Sequence, residues 1–234
     1  MNAQHTYAPA PFWDAYFAAD AAAGKDLNPD GWWAPSFVPY VARYGVTTLL
    51  DLGCGTGGDS LVLARQGLHV TGMDYSQVAL QRAQDKAQAA HLDVSFCYGD
   101  MAQPLPFADA TFGAVMSNVA LHSFGDQLIR QIVREVLRVV HPPGLLLLHL
   151  NSLDDMPYRA QRYARVAELE PNYYREAHGQ TMHFFSEDYC RAVLRDWMIL
   201  ELTHIPLRDG TGRVFKCVWR CVAQKAPVTQ PPLP

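Results

Sequence analysis

The stretch Leu49-Leu50-Asp51-Leu52-Gly53-Cys54-Gly55-Thr56-Gly57-Gly58-Asp59-Ser60 constrains this chain more than any other. Four glycines fall within six residues, directly after an apolar run. Residues 47–52 read as a short buried strand, and 58–66 as a helix with Gly67 suited to its C-terminal cap. A core packed from side chains has little use for such a turn. Without Cβ atoms, however, backbone N–H groups and a helix N-terminus can come close to a ligand.

The pattern that starts there continues. Strands are expected over 68–74, 93–100, from 111 and from 142; helices follow Ser76, a candidate N-cap, and span 126–140. In the last of these, Ile129, Ile132, Val133, Val136, Leu137 and Val140 share one face. Near-continuous apolar strands separated by amphipathic helices imply a parallel sheet covered on both sides. Residues 187–195 look helical. The segments from 197 and over 213–224, joined by Arg208-Asp209-Gly210-Thr211-Gly212, form a hairpin signal. The expectation is an α/β, doubly wound, mostly parallel seven-stranded sheet with a C-terminal antiparallel hairpin, and ligands at the C-terminal strand ends. One domain covers 1–225: an N-terminal helical lid (1–44), a core (45–152), an insertion (153–190), and a terminal helix and hairpin (191–224). Residues 226–234, rich in proline, are expected to be a disordered tail.

Composition narrows the function. The 234 residues carry a net charge of −4, which disfavours nucleic acid or an anionic membrane as partner. No apolar run approaches the roughly 18 residues of a membrane span, and the first residues lack the pattern of a signal peptide. Five cysteines (54, 97, 190, 217, 221) show no metal-ligand spacing. A reduced, cytoplasmic protein, monomer or homodimer, with a small-molecule partner and no metal, is expected.

Gly53, Gly55 and Gly58 satisfy G-x-G-x-x-G, the dinucleotide fingerprint, which leaves a nicotinamide-dependent oxidoreductase open. Asp51 argues otherwise, because a carboxylate at the strand end suits a cationic ligand better than a pyrophosphate. Asp74 and Asp100 end the next two strands. The run Asp51-Leu52-Gly53-Cys54-Gly55-Thr56-Gly57, with those two acids, resembles the cofactor motifs of class I S-adenosylmethionine-dependent methyltransferases. The resemblance covers 45–152 closely and extends loosely to 224. It implies S-adenosyl-L-methionine as cofactor. The loop Gly53, Cys54, Gly55 and Gly57 would pass its methionine part, and Asp51 would hold its amino group. Asp74 would take the ribose with Tyr75 beside the adenine, and Asp100 and Met101 would hold the adenine amino group. A non-catalytic binder of the same cofactor on the same fold also remains open.

The acceptor side is written less plainly. Trp13 and Tyr16 fit either a helix packing face or the site. Trp32 and Trp33 follow a turn-forming Asn28-Pro29-Asp30-Gly31, and Trp33 is placed on the cofactor or substrate. Ser117 and Asn118 end the fourth strand, where methionine part and acceptor should meet, and His122 follows as a candidate base. Arg159, Arg162 and Arg165 fall at helical spacing in the insertion; pointing inward, they would imply an anionic acceptor. The Gly31-Trp32-Trp33 loop and the ending from His183 resemble the thiopurine and tellurite-resistance methyltransferase group, which implies a small acceptor with sulfur or another soft nucleophile.

Overall fold

The computed structural model describes residues 7–26, 28–29 and 31–227. The helices α1 (Ala10–Ala22) and α2 (Val38–Arg43) precede a run of alternating elements: β1 (Thr48–Leu52), α3 (Gly58–Arg65), β2 (His69–Asp74), α4 (Gln77–Ala89), β3 (Val94–Tyr98) and β4 (Phe112–Asn118). Then come α5 (Asp126–Val139), β5 (Val140–Asn151), α6 (Met156–Ala160), β6 (Arg165–Glu170), β7 (Tyr173–Glu176), β8 (Thr181–His183), α7 (Glu187–Val193), β9 (Met198–Arg208) and β10 (Val214–Gln224).

Seven strands form one sheet in the order β3-β2-β1-β4-β5-β10-β9. The first five run parallel, and β10 lies antiparallel to both β5 and β9. The expected doubly wound sheet with a terminal hairpin is therefore the fold observed. Alternation along the strands explains why it is covered on both faces. Leu50, Leu52, Val115, Leu146 and Leu148 point into one core with α5, while Leu49, Ala114, Met116, Leu145 and Leu147 point into the other with Phe37, Val41 and Leu63. Each such leucine contributes on the order of 2 kcal/mol of burial. On α5 the buried stripe is Ile129, Ile132, Val133, Val136 and Val139, with Leu137 only partly covered.

The insertion departs from expectation. Helical spacing of Arg159, Arg162 and Arg165 predicts one helix, but α6 ends at Ala160 and Arg165 opens β6. Strands β6, β7 and β8 make a separate antiparallel sheet. Pro171-Asn172 turns β6 back onto β7, with Asn172 in the left-handed region at φ 64. Arg159 is fixed there by Glu176, whose buried carboxylate it grips through two bonds of 2.7 and 2.6 Å.

At the other end, α1 is fastened to α4. Asp14 accepts from the Ser76 hydroxyl at 2.7 Å, and Arg82 donates to the Phe17 carbonyl at 3.1 Å. The expected tail at 226–234 lies mostly outside the described residues, which end at 227. No helix among the described residues is long and apolar enough to cross a membrane, and all five cysteines are free thiols.

Candidate active site

The turn after β1 is left-handed at Gly53, Gly55 and Gly57 (φ 79, 52 and 76). Side chains with a Cβ rarely adopt that region, so the turn needs its glycines. Gly58 meets a second demand: a Cβ there would sit 1.8 Å from the Asn28 carbonyl oxygen. The loop carrying Trp32 and Trp33 is thereby packed directly onto the start of α3.

That loop has few internal bonds, and Asp59 supplies what it lacks. One carboxylate oxygen accepts from the Trp33 and Ala34 N–H groups at 3.2 and 2.8 Å; the other accepts from the Asn118 amide at 2.9 Å. Because the Asn118 amide nitrogen is turned to Asp59, its oxygen faces His149 Nδ1 at 2.8 Å, so His149 must be the donor there. Burial pulls the His149 pKa down to about 3, which keeps the ring neutral between Trp33 and Phe37 at centroid distances of 4.8 and 4.7 Å. Neither Asp59 nor His149 carries a sequence signal: the first reads as an ordinary first-turn acid, the second as one polar residue in an apolar strand.

The turns after β1, β2, β3 and β4 surround one cavity of about 380 Å³, whose wall also includes Trp13 and Phe17 of α1, the Trp32-Trp33 loop, Arg162 and Lys216 of β10. Of the expected residues, Trp33, Asp51, Gly53, Cys54, Gly55, Asp74, Tyr75, Asp100 and Met101 line it. Asp51 is buried and accepts from the Ser60 hydroxyl at 2.6 Å; desolvation first, then the Asp59 charge, pushes it up to about 8. Asp74 is raised too, first by burial, and accepts from the Gly55 and Ser76 N–H groups, each at 2.9 Å. Asp100 accepts from the Ala102 N–H at 2.9 Å and from the Tyr7 hydroxyl at 2.7 Å. Tyr7, for which the sequence offers no motif, thus caps the β3 end, and the Tyr75 hydroxyl donates to the Ala8 carbonyl beside it.

Four expected residues are not on the wall. Tyr16 packs among Phe12, Trp13 and Phe17 on α1, and it is Trp13 and Phe17 that reach the cavity. Gly57 faces Ala83 and Phe96, so it shapes the turn from behind. Ser117 spends its hydroxyl on the Leu52 carbonyl at 2.8 Å. His122 is buried in the 3-10 turn Leu121–Ser123; burial first, then the Lys216, Arg159 and His183 charges, holds its pKa well below the usual value. Its buried ring is not among the side chains that line the cavity.

Residues 49–144 match the family model described as a methyltransferase domain. The match takes in β1 through the start of β5, which supply the strand-end acids of the cavity. Over 103 residues the chain is 38% identical to 27-O-demethylrifamycin SV methyltransferase of Amycolatopsis mediterranei, covering 43% of this chain and 37% of that one. The chain spans less than half the length of the curated relatives it matches. A solved S-adenosylmethionine-dependent methyltransferase of Methanosarcina mazei is similar with a TM-score of 0.69 and 25% identity, over 81% of this chain and 98% of that one. The 1,6-didemethyltoxoflavin-N1-methyltransferase of Burkholderia thailandensis, solved with S-adenosylhomocysteine, shares the fold with a TM-score of 0.69 and 18% identity, over 93% and 88% of the two chains. S-adenosylmethionine is the cofactor of the methyltransferase domain, and the cavity fits it. A cradle free of side chains lies at the glycine turn, and carboxylates held up by burial would be relieved by a neighbouring cation.

Two outcomes are expected. Asp59→Ala should lower stability by about 1–3 kcal/mol, because the Trp33, Ala34 and Asn118 donors lose their acceptor, and hydrogen exchange should show lost protection at the Trp33 and Ala34 amides. For Asp51, the folded state holds its proton from the ordinary value of 3.8 up to about 8, so the folded state binds more protons than the unfolded one in that window. Stability through this group therefore falls as pH rises from about 4 to about 8. Melting curves of Asp51→Asn should show a shallower decline than those of the parent protein.

Proposed function

We propose that the whole chain is an S-adenosylmethionine-dependent methyltransferase acting on a small-molecule acceptor, at sulfur or another soft atom. The observation that carries this reading is the set of three carboxylates, Asp51, Asp74 and Asp100, at three successive strand ends around one cavity. A nicotinamide dinucleotide would press its pyrophosphate against Asp51, where a cationic cofactor is attracted instead.

When bound, the cofactor supplies an electrophilic methyl group on a sulfonium. Asp74 and Asp100 would hold its ribose and adenine, with Tyr7 and Tyr75 enclosing the base. Asp51 and Asp59 place carboxyl groups near the turn that would receive the methionine part, and a bound cation would favour their ionised forms. The aromatic faces of Trp13, Phe17, Trp32 and Phe124 make much of the rest of the wall apolar, and positioning two reactants against it would supply much of the rate. The cavity wall carries no histidine among the described residues, and its carboxylates gather at the glycine turn. That arrangement suits an acceptor that is already nucleophilic, such as a thiolate, and it is this that favours sulfur over a hydroxyl or amine needing a base.

Incubating the protein with S-adenosylmethionine and panels of aromatic thiols, phenols and amines, read by mass spectrometry, tests the reading. Methylated thiols are expected, and Asp74→Ala should weaken cofactor affinity by at least about tenfold, within the roughly 1–3 kcal/mol of an unmade buried hydrogen bond. No methyl transfer to any class under cofactor saturation would remove the activity, and unchanged affinity in Asp74→Ala would remove Asp74 from the cofactor site.

A further inference from the structure

The cavity wall carries both signs of charge: Asp51, Asp59, Asp74 and Asp100 line it, and so do two cations, Lys216 and Arg162. The leading charges that act on Lys216 are those of Asp155, Arg159, Arg162 and Glu176, so Lys216 and Arg162 belong to one cationic patch.

The cationic patch is not neutralised by its own carboxylates. Glu176 is taken by Arg159 through its paired bonds. Asp155 is buried and accepts from the Cys217 N–H at 2.8 Å; its charge and that of Lys216 favour each other, but the two make no ion pair, and against Lys216, Arg159 and Arg162 the patch has only Asp155 and Glu176. Neither Lys216 nor Arg162 makes a side-chain hydrogen bond or ion pair among the described residues. Arg162 is exposed at the mouth, where water can solvate it. Lys216 is half-buried, next to Phe215 on the cavity wall, and burial pulls its ammonium down to about 8. A half-buried ammonium with no partner is costly unless something that visits the cavity supplies the counter-charge.

We propose that the methyl acceptor is a small aromatic anion whose carboxylate or similar oxyanion group is held by Lys216 and Arg162. The proposal deepens the methyltransferase reading and rests on it for the word acceptor. The aromatic body follows from the aromatic side chains on the same wall, Trp13, Phe17, Trp32, Phe124 and Phe215. The cationic patch would also set the acceptor's direction, because its anionic end goes to Lys216 and Arg162. Opposite charges on acceptor and cofactor would then be brought together against a largely apolar wall, where their attraction exceeds that in water.

The test uses the full chain saturated with S-adenosylhomocysteine and titration calorimetry with benzoate, 2-mercaptobenzoate and 2-naphthoate, each compared with its primary amide. The acids are expected to bind at least about tenfold more tightly than their amides, a charge-assisted contribution of the usual size. Lys216→Met should bring acid and amide to near parity, and Lys216→Arg should keep the preference because the charge remains. Should Lys216→Met fail to fold, Arg162→Gln at the exposed rim should still reduce the preference. Acids with no advantage over their amides, whether both bind or neither does, would overturn the proposal. So would a preference that survives Lys216→Met combined with Arg162→Gln. Acid preference without any binding of S-adenosylhomocysteine would keep the anion site and sink the methyltransferase reading instead.

Discussion

The left-handed turn at Gly53, Gly55 and Gly57 is the constraint on which the rest depends. It lets the chain pass from β1 into α3 within a few residues while its backbone stays bare of side chains. It also delivers Gly58 to a place where only a glycine can meet the Asn28 carbonyl. That contact brings the Trp32-Trp33 loop down on α3, and Asp59, one residue on, fastens it. Through Asn118 and His149 the same carboxylate reaches β4 and β5. One wall of the cavity is therefore an extension of the glycine turn, not a separate lid resting on it.

Charge gives this cavity its chemistry. A parallel sheet gathers its loops at the C-terminal strand ends, and in this chain three of those ends carry aspartates. Burial works against their ionised forms, raising Asp51 and Asp74 before any ligand arrives. A cation would offset that cost of burial, which is the basis for proposing that these acids favour a sulfonium over an anionic dinucleotide. The basic patch contributed by the insertion and by β10 has the opposite preference. The two patches come from different parts of the chain, with the acids on the strand-turn-helix core and the cations on elements added after β5.

Most of the sheet was legible in the sequence, because buried parallel strands read as unbroken apolar runs and α5 repeats at 3.6 residues. Asp74 and Asp100 were legible for the same reason: a strand end locates its last residue. The three-stranded sheet of β6, β7 and β8 was not, since the arginines at 159, 162 and 165 mimic a helical face. The turn signal Pro171-Asn172 was there to contradict them. Asp59, Tyr7 and Lys216 went unmarked because their roles come from residues distant in the chain: Tyr7 meets Asp100 across 93 positions. His122 shows the converse. Its place one turn after a strand end suggested the site, but the 3-10 turn sends its ring into the core.

The central claim is that the acids around the glycine turn select a cationic adenosyl cofactor. Titration calorimetry of the unmodified chain with S-adenosylmethionine, and separately with NADH, tests it most directly. The account predicts saturable binding of S-adenosylmethionine at one site per chain and no measurable heat of binding with NADH. Tight binding of NADH, with no response to S-adenosylmethionine or its demethylated product, would contradict it.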